Sequence, residues 1–136
     1  VKYSIRPCVA KPVRMPANLG PDFLRAAMRR TLKAGDFCME LLVQPRTSDG
    51  MSVEDSMTEW DAAEAPFIPV ATIHIPKQAF DTPVRHAFCE NLSFTPWHSL
   101  PEHRPLGVTN RIRRIVYERI SRLRHEMNDA PRVEPE

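Results

Sequence analysis

Tyr117 and the arginines around it are the residues whose types and spacing could carry chemistry. Seven arginines fall between positions 104 and 124 (104, 111, 113, 114, 119, 122 and 124), against one acid, Glu118. On a helix turning about 100° per residue, Arg113 lies within about 40° of Tyr117 and Arg124 within about 20°. The three share a face bordered by Ser121 and Ile120. A free phenol titrates near about pH 10, and a neighbouring guanidinium favours its phenolate. Such a phenolate is a hard anionic ligand for ferric iron, and tyrosine is one of the axial ligands that haem accepts. A second arginine two turns away has the fork geometry for a carboxylate such as a propionate. The same spacing also describes a half-buried tyrosine beside solvated arginines. Spacing alone leaves both readings open.

Other chemistry is poorly served. His98 with His103, or His86 with Cys89, lack the partners and spacing that a zinc site requires. Four scattered glycines build no phosphate-cradling loop, and no nucleophile-elbow sequence is present. Trp60 and Trp97 read as hydrophobic anchors rather than stacking platforms. Cys8, Cys38 and Cys89 form an odd, widely spaced set without a CxxC pair, which predicts buried or free thiols in a reducing compartment.

The elements that must position these residues follow from periodicity. Lys2–Arg6 alternates polar and apolar residues, as a half-buried strand does. Pro7, Pro12 and Pro16 then impose an extended connection. Gly20-Pro21-Asp22 opens a helix over 21–34, with Leu24, Met28 and Leu32 on one side and Gly35 as its C-cap. Phe37–Gln44 reads as a strand ended by Pro45, and Phe67–Ile75 as a second one starting near Pro69. Five prolines between 76 and 106 predict mostly irregular structure there. From Gly107 to Asn128 no proline intervenes, and Val108, Ile112, Ile115, Val116, Ile120, Leu123 and Met127 recur at steps of three and four. That window is an amphipathic helix. A proline-rich, charged tail over 129–136 is expected to be mobile.

Composition bounds the rest. A chain of 136 residues with 42% hydrophobic and 26% charged residues suggests one ordinary globular domain. Fourteen prolines confine long helices to a few windows. The longest apolar runs fall far short of the roughly 20 residues of a membrane span. The N-terminus has no apolar h-region, so no signal peptide is expected and a cytoplasmic location is the default. Five acids and no base lie between 51 and 66, a stretch most simply read as a solvated loop.

The segment Asn91–Asn128, NLSFTPWHSLPEHRPLGVTNRIRRIVYERISRLRHEMN, resembles the C-terminal part of the small catalase-related haem proteins of the catalase superfamily. The run APFIPVATIHI at 65–75 and the FCENLSFTPWHSLPEHRPLG run fit the same family. In catalases an arginine precedes the iron-ligating tyrosine by four residues, and another follows it by seven. The resemblance thus implies Tyr117 as proximal ligand, Arg113 as the phenolate's partner and Arg124 as a haem-side arginine. Glu118-Arg119-Ile120 stands where the large catalases carry Pro-Asp-Thr, which favours the short branch. The implied fold is α+β: antiparallel strands of a partial catalase-like β-barrel, an early helix and a long C-terminal haem-side helix. The implied activity is a haem-dependent catalase or peroxidase type of oxidoreduction on hydrogen peroxide or organic hydroperoxides.

The family's distal histidine and asparagine have no counterpart. All five histidines (74, 86, 98, 103 and 125) lie in or after the segments matching the C-terminal part. The chain therefore reads as the proximal half of such a domain over 1–136, a C-terminal fragment whose Val1 marks where the other face is missing. Two alternatives from other classes stand beside it. One is an arginine-rich helix binding an anionic partner such as nucleic acid, with steep salt dependence. The other is a non-catalytic remnant that needs the missing half or forms a homo-oligomer through exposed barrel edges.

Overall fold

The computed structural model describes residues 1–9 and 19–131. They fall into two compact units, one of Val1–Ser48 with Trp60–Thr82, the other of Asp49–Glu59 with Pro83–Glu136. The expected connection through Pro12 and Pro16 and most of the expected mobile tail lie outside the described residues.

The first unit is built on three strands, β1 (Lys2–Pro7), β2 (Phe37–Gln44) and β3 (Ile68–Ile75), in the order β1-β2-β3 with both pairs antiparallel. Helix α1 (Phe23–Ala34) joins β1 to β2. The sheet is open, and α+β is the class it belongs to. Val70 is an extra residue where the β2–β3 register shifts, next to Pro69, whose missing N–H cannot join the ladder. Gly35 ends α1, but in an extended conformation (φ −178°) rather than a left-handed one, with its N–H bonded to the Thr31 carbonyl.

Directly opposed residues point to the same side of an antiparallel sheet, so the register sorts the side chains. One face carries the rows Tyr3–Val43–Ile68, Ile5–Leu41–Ala71, Pro7–Met39–Ile73 and Phe37–Ile75, with no charged residue. The other carries Lys2–Gln44, Ser4–Leu42–Pro69, Arg6–Glu40–Thr72 and Cys38–His74. On the mixed face Leu42 and Gln44 are buried, while Ser4, Arg6, Thr72 and His74 are exposed. Gln44 is fully buried and donates through Nε2 to the carbonyls of Trp60 and Ala65, each at 3.0 Å, while Leu42, Trp60 and Ala65 are buried beside it. Lys2 Nζ sits 4.5 Å above the Trp60 ring. Tyr3, Ile5, Ile68 and Ile73, on the apolar face, are exposed.

Cys8 and Cys38 are joined in a disulfide, which corrects the expectation of free or buried thiols for these two. Cys8 continues the β1 register opposite Cys38, its N–H bonded to the Cys38 carbonyl at 3.1 Å. Thirty residues separate the pair in sequence, and sheet pairing rather than local spacing brings their Cα atoms within 5.6 Å. Cys89 is free and exposed.

The second unit contains α2 (Pro83–Asn91), a 3-10 turn at Pro101–His103 and α3 (Val108–Met127). Helix α2 corrects the expectation of mainly irregular structure between 76 and 106. Pro83 occupies its first position, where a missing N–H costs nothing, and no proline follows until Pro96. No described helix is long and apolar enough to cross a membrane.

Candidate functional site

Helix α3 carries every residue that the sequence singled out for iron chemistry. Its 20 residues extend about 30 Å. Gly107 precedes it with φ +89°, and a Cβ there would overlap the Val53 carbonyl, so the entry to the helix admits glycine alone. At its other end the Asn128 N–H closes on the Arg124 carbonyl at 2.9 Å.

The helix is turned opposite to its apolar pattern. Its buried residues are Ser121 and His125, whereas Ile112, Val116, Ile120, Leu123 and Met127 are exposed. Polar contacts hold the inward side. Ser121 Oγ and Ser93 Oγ are 2.6 Å apart, both buried. Arg124 Nη2 donates to the Leu92 carbonyl at 2.8 Å and to that of Glu90, and Asn128 Nδ2 to Asn91 Oδ1 at 3.0 Å. Trp97 Nε1 donates to the Asn110 carbonyl at 2.9 Å, and the Arg114 guanidinium lies 4.9 Å from the Trp97 ring centre. Trp97 is thus half-buried and held by a hydrogen bond and a cation–π contact.

The arginines are mostly engaged within the chain. Arg111 grips Glu54 through both terminal nitrogens, at 3.1 and 2.7 Å, and holds that carboxyl below the usual carboxylate range by hydrogen bonding first and charge second. Arg122 bonds Glu118 one turn back at 2.9 Å. Glu54 belongs to the acidic stretch, whose neighbouring Asp55 is likewise held low, first by the Met57 N–H and then by the Thr58 hydroxyl. That stretch is less simply solvated than expected, since Met51, Trp60 and Ala65 within it are buried.

Arg113 differs from these. Among the described residues it forms no ion pair and makes one long contact, Nη1 to Asn110 Oδ1 at 3.4 Å. It is exposed, and so is Tyr117 one turn further on. The helix therefore places Arg113 and Tyr117 one turn apart, both exposed, beside Ile120 and on the side of α3 that also carries Ser121 and Arg124. Arg124 is placed differently. Its Nη2 is committed to two carbonyls, and its Nε is buried without a partner. His125 donates through Nδ1 to the Ser121 carbonyl at 2.8 Å and leaves Nε2 buried and unpartnered.

Sequence reasoning had no means of finding Ser93, Ser121 or Glu54. Each is an ordinary surface-type residue whose partner lies tens of positions away. Gly107 was visible only as the start of the helix. An open depression of about 370 Å³ lies at the C-terminal end of α3, lined by His125, Glu126, Asp129, Ala130 and Pro131, and does not include Tyr117. Among the described residues no group of three or more His, Cys, Asp or Glu side chains is placed to hold a metal ion. No known protein family, curated protein or solved structure matches this chain.

Proposed function

We propose that this chain is a haem-binding part of a catalase-related protein acting on hydrogen peroxide or organic hydroperoxides, with Tyr117 as the proximal iron ligand. The observation that carries the reading is the exposure of Tyr117 and Arg113, one turn apart on α3, on the side of the helix that Ser121 and Arg124 occupy nearer its C-terminal end. Among the described residues Arg113 forms no ion pair. A porphyrin presents the complement, an apolar plane edged by carboxylates.

The residues present fit that group in type. The phenol oxygen of Tyr117 has no hydrogen-bond partner among the described residues and is a suitable hard donor for ferric iron. Arg113 supplies the guanidinium that would hold the phenolate oxygen. Arg124 braces the chain at Glu90–Leu92, and only its remaining donors would be open to a propionate. Bound haem would supply the redox chemistry on peroxide, and the chain's own part is to ligate and to orient. Acid–base assistance to O–O cleavage needs a group within hydrogen-bond reach of the peroxide, and this chain offers no distal histidine and asparagine for it. Turnover by this chain alone is thus a separate and weaker proposition than haem binding. A cytoplasmic location, where the Cys8–Cys38 pair would meet reductants, and a barrel completed around the three strands belong to the same proposal.

The engagement of Arg111, Arg114, Arg122 and Arg124 within the chain weighs against a phosphate-binding helix. Reconstitution with ferric haem, followed by absorption spectroscopy, tests the reading. A ferric tyrosinate spectrum at one haem per chain, abolished in Tyr117→Phe, supports it. Absence of stoichiometric uptake overturns the site.

A further inference from the structure

The sheet of the first unit carries a group of reactive side chains that haem chemistry does not use. Cys8, Cys38 and His74 form one row across its three strands, Cys8 opposite Cys38 and Cys38 opposite His74. Directly opposed residues point to the same side of a sheet, with Cβ atoms about 4.5–5.5 Å apart. The Cys8–Cys38 disulfide therefore has an imidazole as its next neighbour in the row. Asp36, just before β2, holds that ring. Its Oδ2 lies 3.2 Å from His74 Nε2, and its Oδ1 accepts the Lys77 N–H at 2.8 Å. The Lys77 N–H first, and then His74, keep the Asp36 carboxyl below the ordinary carboxylate range. His74 Nδ1 has no hydrogen-bond partner among the described residues. In the adjoining row Arg6 and Glu40 pair with each other at 2.6 Å.

We propose that Cys8–Cys38 is a reversible dithiol–disulfide couple that exchanges with low-molecular-weight thiols, Cys8 being the sulfur attacked and Cys38 the leaving sulfur beside His74. The topology assigns the two roles. β1 is an edge strand, so Cys8 lies on the outer side of the bond. Cys38 is on the central strand, between Cys8 and His74. Both sulfurs belong to half-buried residues, and His74 is exposed. A thiolate attacking Cys8 thus expels Cys38 toward the ring, and a stabilised leaving thiolate departs faster.

The first small thiolate bonds to Cys8 Sγ as the Sγ–Sγ bond breaks. The electron pair leaves on Cys38 Sγ, which takes a proton from His74. Imidazole is the side chain whose charge changes near neutral pH, which suits it to give that proton and regain it. A second thiolate then attacks the small molecule's sulfur in the mixed disulfide. It releases a symmetrical small-molecule disulfide, and Cys8 is protonated. Two small thiols are oxidised and one protein disulfide is reduced. The two protons they lose replace the one taken from His74 and supply the one added to Cys8. The couple is independent of haem.

A Cys89→Ser background removes the exposed third thiol. Equilibrated with glutathione disulfide, that chain should show no free thiol, and both thiols after reduction. Reduction by glutathione near about pH 7 should then slow at least about ten-fold in His74→Ala, with an unchanged circular dichroism spectrum. Adding Cys8→Ser or Cys38→Ser leaves a single thiol whose alkylation by iodoacetamide reads its reactivity. Cys38 should alkylate at least about ten-fold faster than Cys8, because a neighbouring imidazolium favours the thiolate. His74→Ala should abolish that difference by slowing Cys38 alone, whereas a merely structural effect would change both thiols. Free thiols persisting in the oxidised chain, equal alkylation of Cys8 and Cys38, or a glutathione rate unchanged in His74→Ala would each overturn the proposal.

Discussion

Ser93 and Ser121 face each other at 2.6 Å, both buried, and this pair marks which side of α3 is the inside. A hydroxyl pair is an unusual centre for a helix that carries an apolar stripe. Replacing one partner leaves the other buried and unsatisfied, at a cost of about 1–3 kcal/mol. Ser121→Ala should therefore lower stability by that amount in urea unfolding. Ile120→Ser, on the exposed stripe, should stay within about 0.5 kcal/mol of wild type. The reverse ranking would mean that the stripe, not the hydroxyl pair, faces the interior.

Gly107 sets the direction in which α3 leaves the preceding loop. Its φ of +89° with ψ of 157° belongs to a region reserved almost wholly for glycine. Gly107→Ala meets both that strain, about 1–3 kcal/mol, and the Val53 carbonyl. Gly20→Ala has open space around it and serves as the matched control. Urea midpoints should fall clearly for the first and hardly move for the second.

The Glu54–Arg111 pair ties the 49–59 segment to α3 in a pH-dependent way. The folded-state pKa of Glu54 is depressed below its ordinary value of 4.5, so the pair's contribution is present above that value. It is lost as pH falls through the depressed folded value, because protonation removes the acceptor charge. Glu54→Gln should thus be less stable than wild type near about pH 7, with the difference reduced near about pH 3. The pair is exposed, so the difference is small and shrinks with salt. Equal differences at both pH values would show that the pair contributes nothing through charge.

Arg113 and Arg124 should separate when each is changed to methionine. Arg113 has no ion pair to lose, so Arg113→Met should weaken haem uptake about ten-fold or more while leaving urea stability unchanged. Arg124 holds the Glu90 and Leu92 carbonyls, so Arg124→Met should cost about 1.5–3 kcal/mol even without haem. Isothermal titration with haem and urea unfolding on the same preparations make the comparison. An Arg113→Met chain that loses stability but keeps haem affinity would reverse the roles.

Local periodicity determined much of this protein. The steps of three and four from Val108 to Met127 define α3, and the apolar run at 37–44 and the β-branched run at 67–75 define two strands to within a residue or two. The grouping of Arg113 and Tyr117 on one face follows from helix geometry alone. Tertiary structure decided what those faces meet. An apolar stripe records which side of an element avoids water, but burial depends on what is there to pack against it. Each unit holds buried polar contacts, Ser121 on Ser93 and Gln44 on two carbonyls, between groups 16 to 28 residues apart. No local pattern encodes such pairs. The Cys8–Cys38 bond has the same origin, since only the β1–β2 register places two cysteines 30 residues apart opposite each other. Periodicity is a property of neighbours along the chain, and partnership is a property of neighbours in space.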